Sequence, residues 1–341
     1  MTSDTAIRSA LQRLVERQDL GEDEAAACME ELMTGAASPA QFGAFVTALR
    51  MKGESVDEIA GMARVMREKS SRIEVDGDVL DTCGTGGDGS GSFNVSTAAA
   101  FVAAGAGARV AKHGNRAMTS QCGSADVLEA LGAKIDLAPG QVKACIDRTG
   151  FGFMFAQTFH PAMKFVAPLR REIGIRTVFN MLGPLTNPAG ACRQVIGVPR
   201  PDMVETVAAV LQRLDSQHAL VVHGEDGFDE VSITGPTLVA ELVDSGIRRY
   251  TIAPEDAGLP RYDIRNLRGG TPEQNASELR RVLEGASGAL RDFVLINCAA
   301  ALVAGDAAAN LAEGVRMAAK SIDSGAAAAK LDAFVAATNE V

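Results

Sequence analysis

Near the start of the chain, apolar residues return at helical spacing. Ile7, Leu11, Leu14 and Val15 fall at i, i+4, i+7 and i+8, one face of a helix, which predicts a helix over residues 6–18. The same reading predicts helices over 21–34, 38–52 and 55–71, with Ser38 and Ser55 as N-caps and Pro39 at a first helical position. Four helices on short loops, with no strand between them, predict a small helical domain over residues 1–72.

From Glu74 the pattern changes. Short β-branched runs at 79–82, 109–112, 152–156, 195–198 and 219–223 read as strands. Helical patterns at 94–106, 124–131, 140–149 and 202–214 lie between them. This alternation predicts an α/β domain over 73–341 with a mostly parallel central sheet and crossover helices. Residues 237–243 and 247–252, joined near Ser245-Gly246, read as an edge hairpin, and 272–338 as Ala-rich helices. Residues 160–181 break the alternation with two successive amphipathic helical patterns. The whole stretch 160–188 is therefore expected to leave the sheet and pack back on the first helices.

The chemistry gathers at the ends of the predicted strands. Residues 81–97 read D-T-C-G-T-G-G-D-G-S-G-S-F-N-V-S-T, with five glycines and six hydroxyl side chains. Glycine lets backbone N–H groups turn towards an anion, and a helix is predicted to open just after, at Asn94, Ser96 and Thr97. A Gly-rich loop feeding a helix N-terminus is an anion site. A flexible linker is the plain alternative, but a loop held between two buried elements is a positioned one. Gly84-x-Gly86-x-x-Gly89 also matches the dinucleotide fingerprint. The helix does not open at once, however, and no Asp or Glu occurs between Asp88 and Asp126 to meet a ribose.

Three further groups follow strands or sit on the misfit segment. Lys112-His113-Gly114-Asn115-Arg116 brings two cations suited to phosphate, with Ser120 and Ser124 close behind. Asp229-Glu230 pairs carboxylates on a loop, which suits a hard cation such as Mg²⁺ on a polyphosphate. Arg170 offers a planar fork for a carboxylate. Each has a plain reading too: a solvated basic turn, an exposed acidic loop and a surface salt bridge.

Charge and composition narrow the partners. A net charge of −10, no Trp and two Tyr count against nucleic acid, which favours basic faces and stacking rings. Apolar runs broken by glycine fall short of a membrane span, and residues 1–18 show no signal-peptide core. Six scattered cysteines without a C-x-x-C pair fit a reducing cytoplasm.

Taken together, D-x-x-G-T-G-G-D, N-x-S-T, K-H-G-N-R, the run R-R-E…R-T-x-F-N-x-L-G-P-L-x-N-P over 170–188, and D-E-V-S resemble the anthranilate phosphoribosyltransferase family. The likeness covers nearly the whole chain, including Gly269-Gly270-Thr271-Pro272-Glu273. It implies a nucleoside phosphorylase/phosphoribosyltransferase-like fold with a cleft between a helical and an α/β domain. It implies transfer of phosphoribose from phosphoribosyl pyrophosphate to anthranilate in tryptophan biosynthesis, with Mg²⁺, by a cytoplasmic homodimer that needs neither nucleic acid nor membrane. By position, Gly84, Gly87, Asp88, Ser92, Asn94, Val95, Ser96, Thr97, Lys112, His113, Gly114, Asn115, Arg116, Ser120 and Ser124 would hold phosphoribosyl pyrophosphate. Gly84, Asn115 and Arg170 would contact anthranilate, with His113 and Pro184 near its ring and His113 the one catalytic candidate. Ser96, Asp229 and Glu230 would bind Mg²⁺. Met118 and Cys122 depart from the smaller apolar residue and serine usual there. The rival readings are a pyrimidine nucleoside phosphorylase and a non-catalytic nucleic-acid-binding relative on the same scaffold.

Overall fold

The computed structural model describes residues 5–117 and 121–341. It opens with α1 (Ala6–Val15), α2 (Glu22–Thr34), α3 (Pro39–Lys52) and α4 (Val56–Glu68). Ser38 and Ser55 cap α3 and α4 in reciprocal boxes with Gln41 and Glu58. The first helix stops earlier than the predicted residue 18. Arg17 takes φ +60°, and its N–H and that of Gln18 fold back to Leu14 and Arg13 carbonyls, which turns the chain towards α2.

The α/β part runs β1 (Leu80–Gly84), α5 (Val95–Gly105), β2 (Val110–Gly114), α6 (Ser124–Ala130), α7 (Pro139–Thr149), β3 (Phe151–Phe155), α8 (Ala156–Phe159), α9 (Ala167–Ile173), α10 (Phe179–Leu182), β4 (Arg193–Gly197), α11 (Asp202–Arg213), β5 (His218–Gly224), β6 (Thr237–Val243), β7 (Gly246–Ile252), α12 (Pro272–Leu283), α13 (Ala289–Ala304), α14 (Leu311–Asp323) and α15 (Ala326–Glu340). The strand order is β3-β2-β1-β4-β5-β6-β7. β1 to β5 run parallel, and β6 and β7 close one edge as an antiparallel hairpin. The hairpin turns at Asp244-Ser245 (φ +49° and +62°), one residue before the predicted Ser245-Gly246. From β1 the chain winds outward to β2 and β3, then returns to lay β4 on β1's other side. Strand order reverses there, so a crevice opens beyond the carboxyl ends of β1 and β4.

Residues 160–181 do not form two amphipathic helices. They form a 3-10 turn (Pro161–Phe165) and the short α9 and α10. Gly174, in the left-handed region at φ +67°, ends α9 after two turns. The segment still buries Val166, Val178, Phe179, Met181 and Leu182 in one apolar cluster with α1–α4. That cluster continues through α11 to one face of the sheet, at Ile196, Val221 and Ala240. The other sheet face packs Val110, Phe151, Leu220 and Val222 against α5, α13 and α15 in a second cluster. No helix among the described residues is long and apolar enough to cross a membrane.

Candidate active site

The glycine-rich loop leaves β1 at Gly84 and enters α5 at Val95, with Gly86, Gly87, Gly89 and Gly91 all at positive φ. Ten residues of loop separate β1 from α5, so the dinucleotide fingerprint does not form its immediate helix. The loop is no free linker. Its far end is pinned where Gly269 N–H donates to Gly91 O (2.9 Å), Phe93 N–H to Leu267 O (2.8 Å) and Asn94 N–H to the side chain of the buried Asn275 (2.9 Å). Its near end is pinned by Thr85 N–H to Gly197 O (2.9 Å) and Gly86 N–H to Asp229 Oδ2 (2.7 Å).

At the start of α5, Val95 N–H is spent on Phe93 O (2.7 Å), and the helix's own ladder begins at Ala98. The N–H groups of Ser96 and Thr97 in between belong to the first turn of α5, where the helix itself offers them no acceptor. Beneath them Lys112 is buried. Its ammonium donates to Thr82 O and lies 3.3 Å from Ser96 Oγ. Burial lowers the Lys112 pKa, and Asp81 beside it opposes that. Asp81 is itself buried, accepting from His113 N–H (3.2 Å) and Asn187 Nδ2 (2.7 Å).

Asp229 and Glu230 follow β5 and reach across to the loop. A methyl group on Gly84 would come 2.4 Å from Asp229 Oδ2, and one on Gly197 only 1.5 Å from Asp229 O. Bare glycines at two strand ends therefore let Asp229 settle over them. Burial, then nearby Asp88, pushes the Asp229 pKa up to about 7, and burial with Asp229 raises that of Glu230. Among the described residues no three His, Cys, Asp or Glu side chains converge closely enough to hold a metal ion unaided. Four buried polar atoms around the loop have no hydrogen-bonding partner among the described residues: Asp88 Oδ2, Asn94 Oδ1, Thr97 Oγ1 and Thr85 Oγ1. Buried polar groups are rarely left so. Hard oxygens and orphaned polar atoms on an anion loop fit a Mg-diphosphate group.

His113, at the end of β2, meets Gly183 O through Nδ1 (3.2 Å), while its buried Nε2 has no partner among the described residues. Its ring lies 5.0 Å from that of His160. Burial and His160 push the His113 pKa down to about 3, so the imidazole is neutral at physiological pH. Pro184 is buried next to Gly183, which brings His113 and Pro184 to one wall. Arg170 on α9 lies over the Phe179 ring at 5.3 Å and, among the described residues, forms no ion pair. Burial and neighbouring Arg176 lower its pKa, the mark of a positive pocket.

Other expected residues have different partners. Arg116 is forked onto Glu129 (2.9 Å for Nη2) and reaches Asp126 (3.2 Å), so α6 already meets its charge. Asn115 is exposed and its Oδ1 accepts from Arg116 N–H (2.8 Å). Ser124 opens α6, donating to Asn115 O (3.4 Å) where bare Gly114 leaves room. Ser92 sits on the loop in a bridge to Arg268. Ser120 lies outside the described residues. Sequence reasoning missed Asn275, Asn187 and Arg176. Asn275 is an amide just past the Gly269–Glu273 run, and Arg176 and Asn187 were visible only inside the 170–188 motif, where nothing gave either a separate role. A cavity of about 1200 Å³ lies at the opposite end of β5, lined by His218, Glu241, Arg248 and Tyr250. Those side chains already satisfy one another.

Residues 76–328 match the glycosyl transferase family a/b domain, and residues 8–70 its helical bundle domain. The anthranilate phosphoribosyltransferase of Moorella thermoacetica is 57% identical over 97% of this chain and 98% of that protein. The chain belongs to the anthranilate phosphoribosyltransferase family. The crystal structure of the family's Thermus thermophilus member superposes with a TM-score of 0.92 at 46% identity, over 97% of this chain and 99% of that one. A Saccharomyces cerevisiae anthranilate phosphoribosyltransferase, solved in complex with PRPP and Mg, superposes at 0.90 with 28% identity over 98% of both chains.

Proposed function

We infer that this chain transfers the phosphoribosyl group of 5-phosphoribosyl 1-pyrophosphate to anthranilate, releasing pyrophosphate, in tryptophan biosynthesis. The observation that carries the reading is the pinned glycine loop, with its unpartnered polar atoms, facing Asp229 and Glu230 across the switch point. The ribose C1–O bond to pyrophosphate breaks and a C1–N bond to the aromatic amine forms, and the amine proton leaves to solvent. Mg²⁺, when bound, offsets the charge growing on the diphosphate. Ser96, Asp229 and Glu230 would hold it, with the diphosphate's own oxygens completing the shell.

The loop amides and the N–H groups of Ser96 and Thr97 receive the leaving diphosphate, with Lys112 supplying positive charge below. Arg170, which lies over the Phe179 ring and has no ion-pair partner among the described residues, takes the anthranilate carboxylate. A base with a pKa near that of His113 would draw protons weakly, so its free Nε2 orients the amine rather than activating it. An aromatic amine is neutral near pH 7 and needs no prior deprotonation, so most of the rate comes from placing two substrates in line. The proposal extends to a homodimer in the cytoplasm. The exposed Val15 and Met51 of the helical domain are surface a partner would cover, and six scattered cysteines without a C-x-x-C pair suit a reducing compartment.

The test is the fluorescence of anthranilate mixed with protein, phosphoribosyl pyrophosphate and Mg²⁺. A decay that needs all of these is expected. A flat trace with phosphoribosyl pyrophosphate binding intact by calorimetry would overturn the acceptor, and loss of binding as well would overturn the enzyme.

A further inference from the structure

Arg176 belongs to the link between α9 and α10, on the cleft wall that packs with the helical domain. Its guanidinium crosses to the glycine-rich loop, where Nη2 donates to Thr85 O at 3.2 Å. A methyl group built on Gly87 would lie 1.6 Å from Arg176 Nη1, 2.3 Å from Cζ and 3.0 Å from Nε. The guanidinium therefore lies flat on the loop at the one residue where only a hydrogen leaves space for it. Among the described residues it forms no ion pair. It sits in the field of the carboxylates Asp229 and Asp88, opposed by the charges of Arg50 and Arg200. It is thus drawn to the acidic side of the loop without being neutralised there.

We propose that Arg176 is a positioning residue that clamps the glycine-rich loop in its diphosphate-receiving shape. The clamp rests on the function proposed above. It acts through the loop: by holding the Thr85 carbonyl and lying on Gly87, Arg176 sets the direction of the neighbouring amides. It also ties the α9–α10 wall, which carries Arg170, to the loop, so the two substrate subsites are held in register. Lysine lacks the planar fork that covers Gly87 while bonding Thr85.

The experiment is a cycle of Arg176→Ala and Gly87→Ala, alone and combined, with Arg176→Lys beside them. Arg176→Ala should raise the KM for phosphoribosyl pyrophosphate roughly tenfold, the scale of one charge-assisted hydrogen bond, with a much smaller change in kcat. Arg176→Lys should recover only part of that. Gly87→Ala both strains the loop and displaces the guanidinium, so its effect should be several-fold smaller once Arg176 is already alanine. Multiplicative effects in the double variant would overturn the clamp, as would an Arg176→Ala enzyme altered only in kcat. Titration of the same proteins with inorganic pyrophosphate and Mg²⁺ by calorimetry separates the two readings. If the wild type binds pyrophosphate but leaves anthranilate untouched, the function falls while the clamp is still judged by the same non-additivity. If the wild type does not bind pyrophosphate, both fall.

Discussion

Asp229 shows how a single side chain comes to do unusual chemistry here. It lies where two strands end in glycine, so it can drop onto the sheet and accept Gly86 N–H, and the burial that follows raises its pKa. His113 and His160 are moved the other way by the same cause. Burial lowers them to about 3 and about 4, and each keeps an Nε2 without a partner among the described residues. Their folded pKa values lie below that of an unfolded histidine, about 6.5, so protonation favours the unfolded chain. Stability from this pair is intact above about pH 6.5 and falls as the solution is acidified below it. In an NMR titration, the ring C2 protons of both should therefore stay still between about pH 5 and pH 8. A midpoint near 6.5 for either would show a solvated imidazole instead.

At the scale of elements, the loop between β1 and α5 is a glycine chain made rigid from outside. Five of its residues, Thr85, Gly86, Gly91, Phe93 and Asn94, are fastened to partners over a hundred residues further on. Asn275 is the most economical of these partners. Its Oδ1 accepts Asn94 N–H, and its Nδ2 returns to Gly270 O (3.0 Å) and Thr271 O (3.2 Å). Asn275→Ala should cost about 1–3 kcal/mol, because it leaves a part-buried N–H unmet. Thermal melting checks that cost. Hydrogen exchange should report faster exchange confined to residues 86–95, and uniform exchange across the sheet would mean that Asn275 does not hold the loop. None of these ties has a local signature. The loop's composition announced an anion site, while its rigidity comes from Leu267, Gly269 and Asn275.

At the scale of the molecule, the helical domain and one face of the sheet share a single apolar cluster through α4 and α11. Arg67 reinforces that joint, donating to Leu185 O (2.7 Å) and Leu214 O (3.1 Å). Far from the cleft, Glu241 on β6 accepts from His218 (3.0 Å), Arg248 (2.8 Å) and Tyr250 (2.7 Å) and is only 2% exposed. Burial acts against its charged form, but hydrogen bonds from His218, Arg248 and Tyr250 prevail and hold its pKa down to about 2. A carboxylate whose folded pKa is depressed stabilises the fold above its unfolded value of about 4.3, and that contribution fades as pH falls towards 2. Glu241→Gln should therefore cost on the order of 1–3 kcal/mol at pH 7, with the deficit closing between about pH 5 and pH 2. Urea melts at a series of pH values read it directly. A deficit independent of pH would mean that Glu241 acts through packing alone.

By itself the sequence determined the alternation that makes a parallel sheet, the capped helices before it, and the residue types that answer a diphosphate. Each of these is a local property, written in spacing, caps and composition within about one element's length. It read residues 160–181 as two amphipathic helices because periodicity alone does not register a chain stopped by Gly174 and turned into a 3-10 segment from Pro161. It also offered Arg116 to a phosphate, whereas Glu129 and Asp126 on α6 hold that charge. Only the tertiary structure decided which charges stay unpaired, which carboxylates are buried, and that Arg176, Asn187 and Asn275 belong to the site. Those outcomes depend on neighbours brought from distant positions at the strand-order reversal between β1 and β4, where burial and proximity, rather than residue type, set the chemistry.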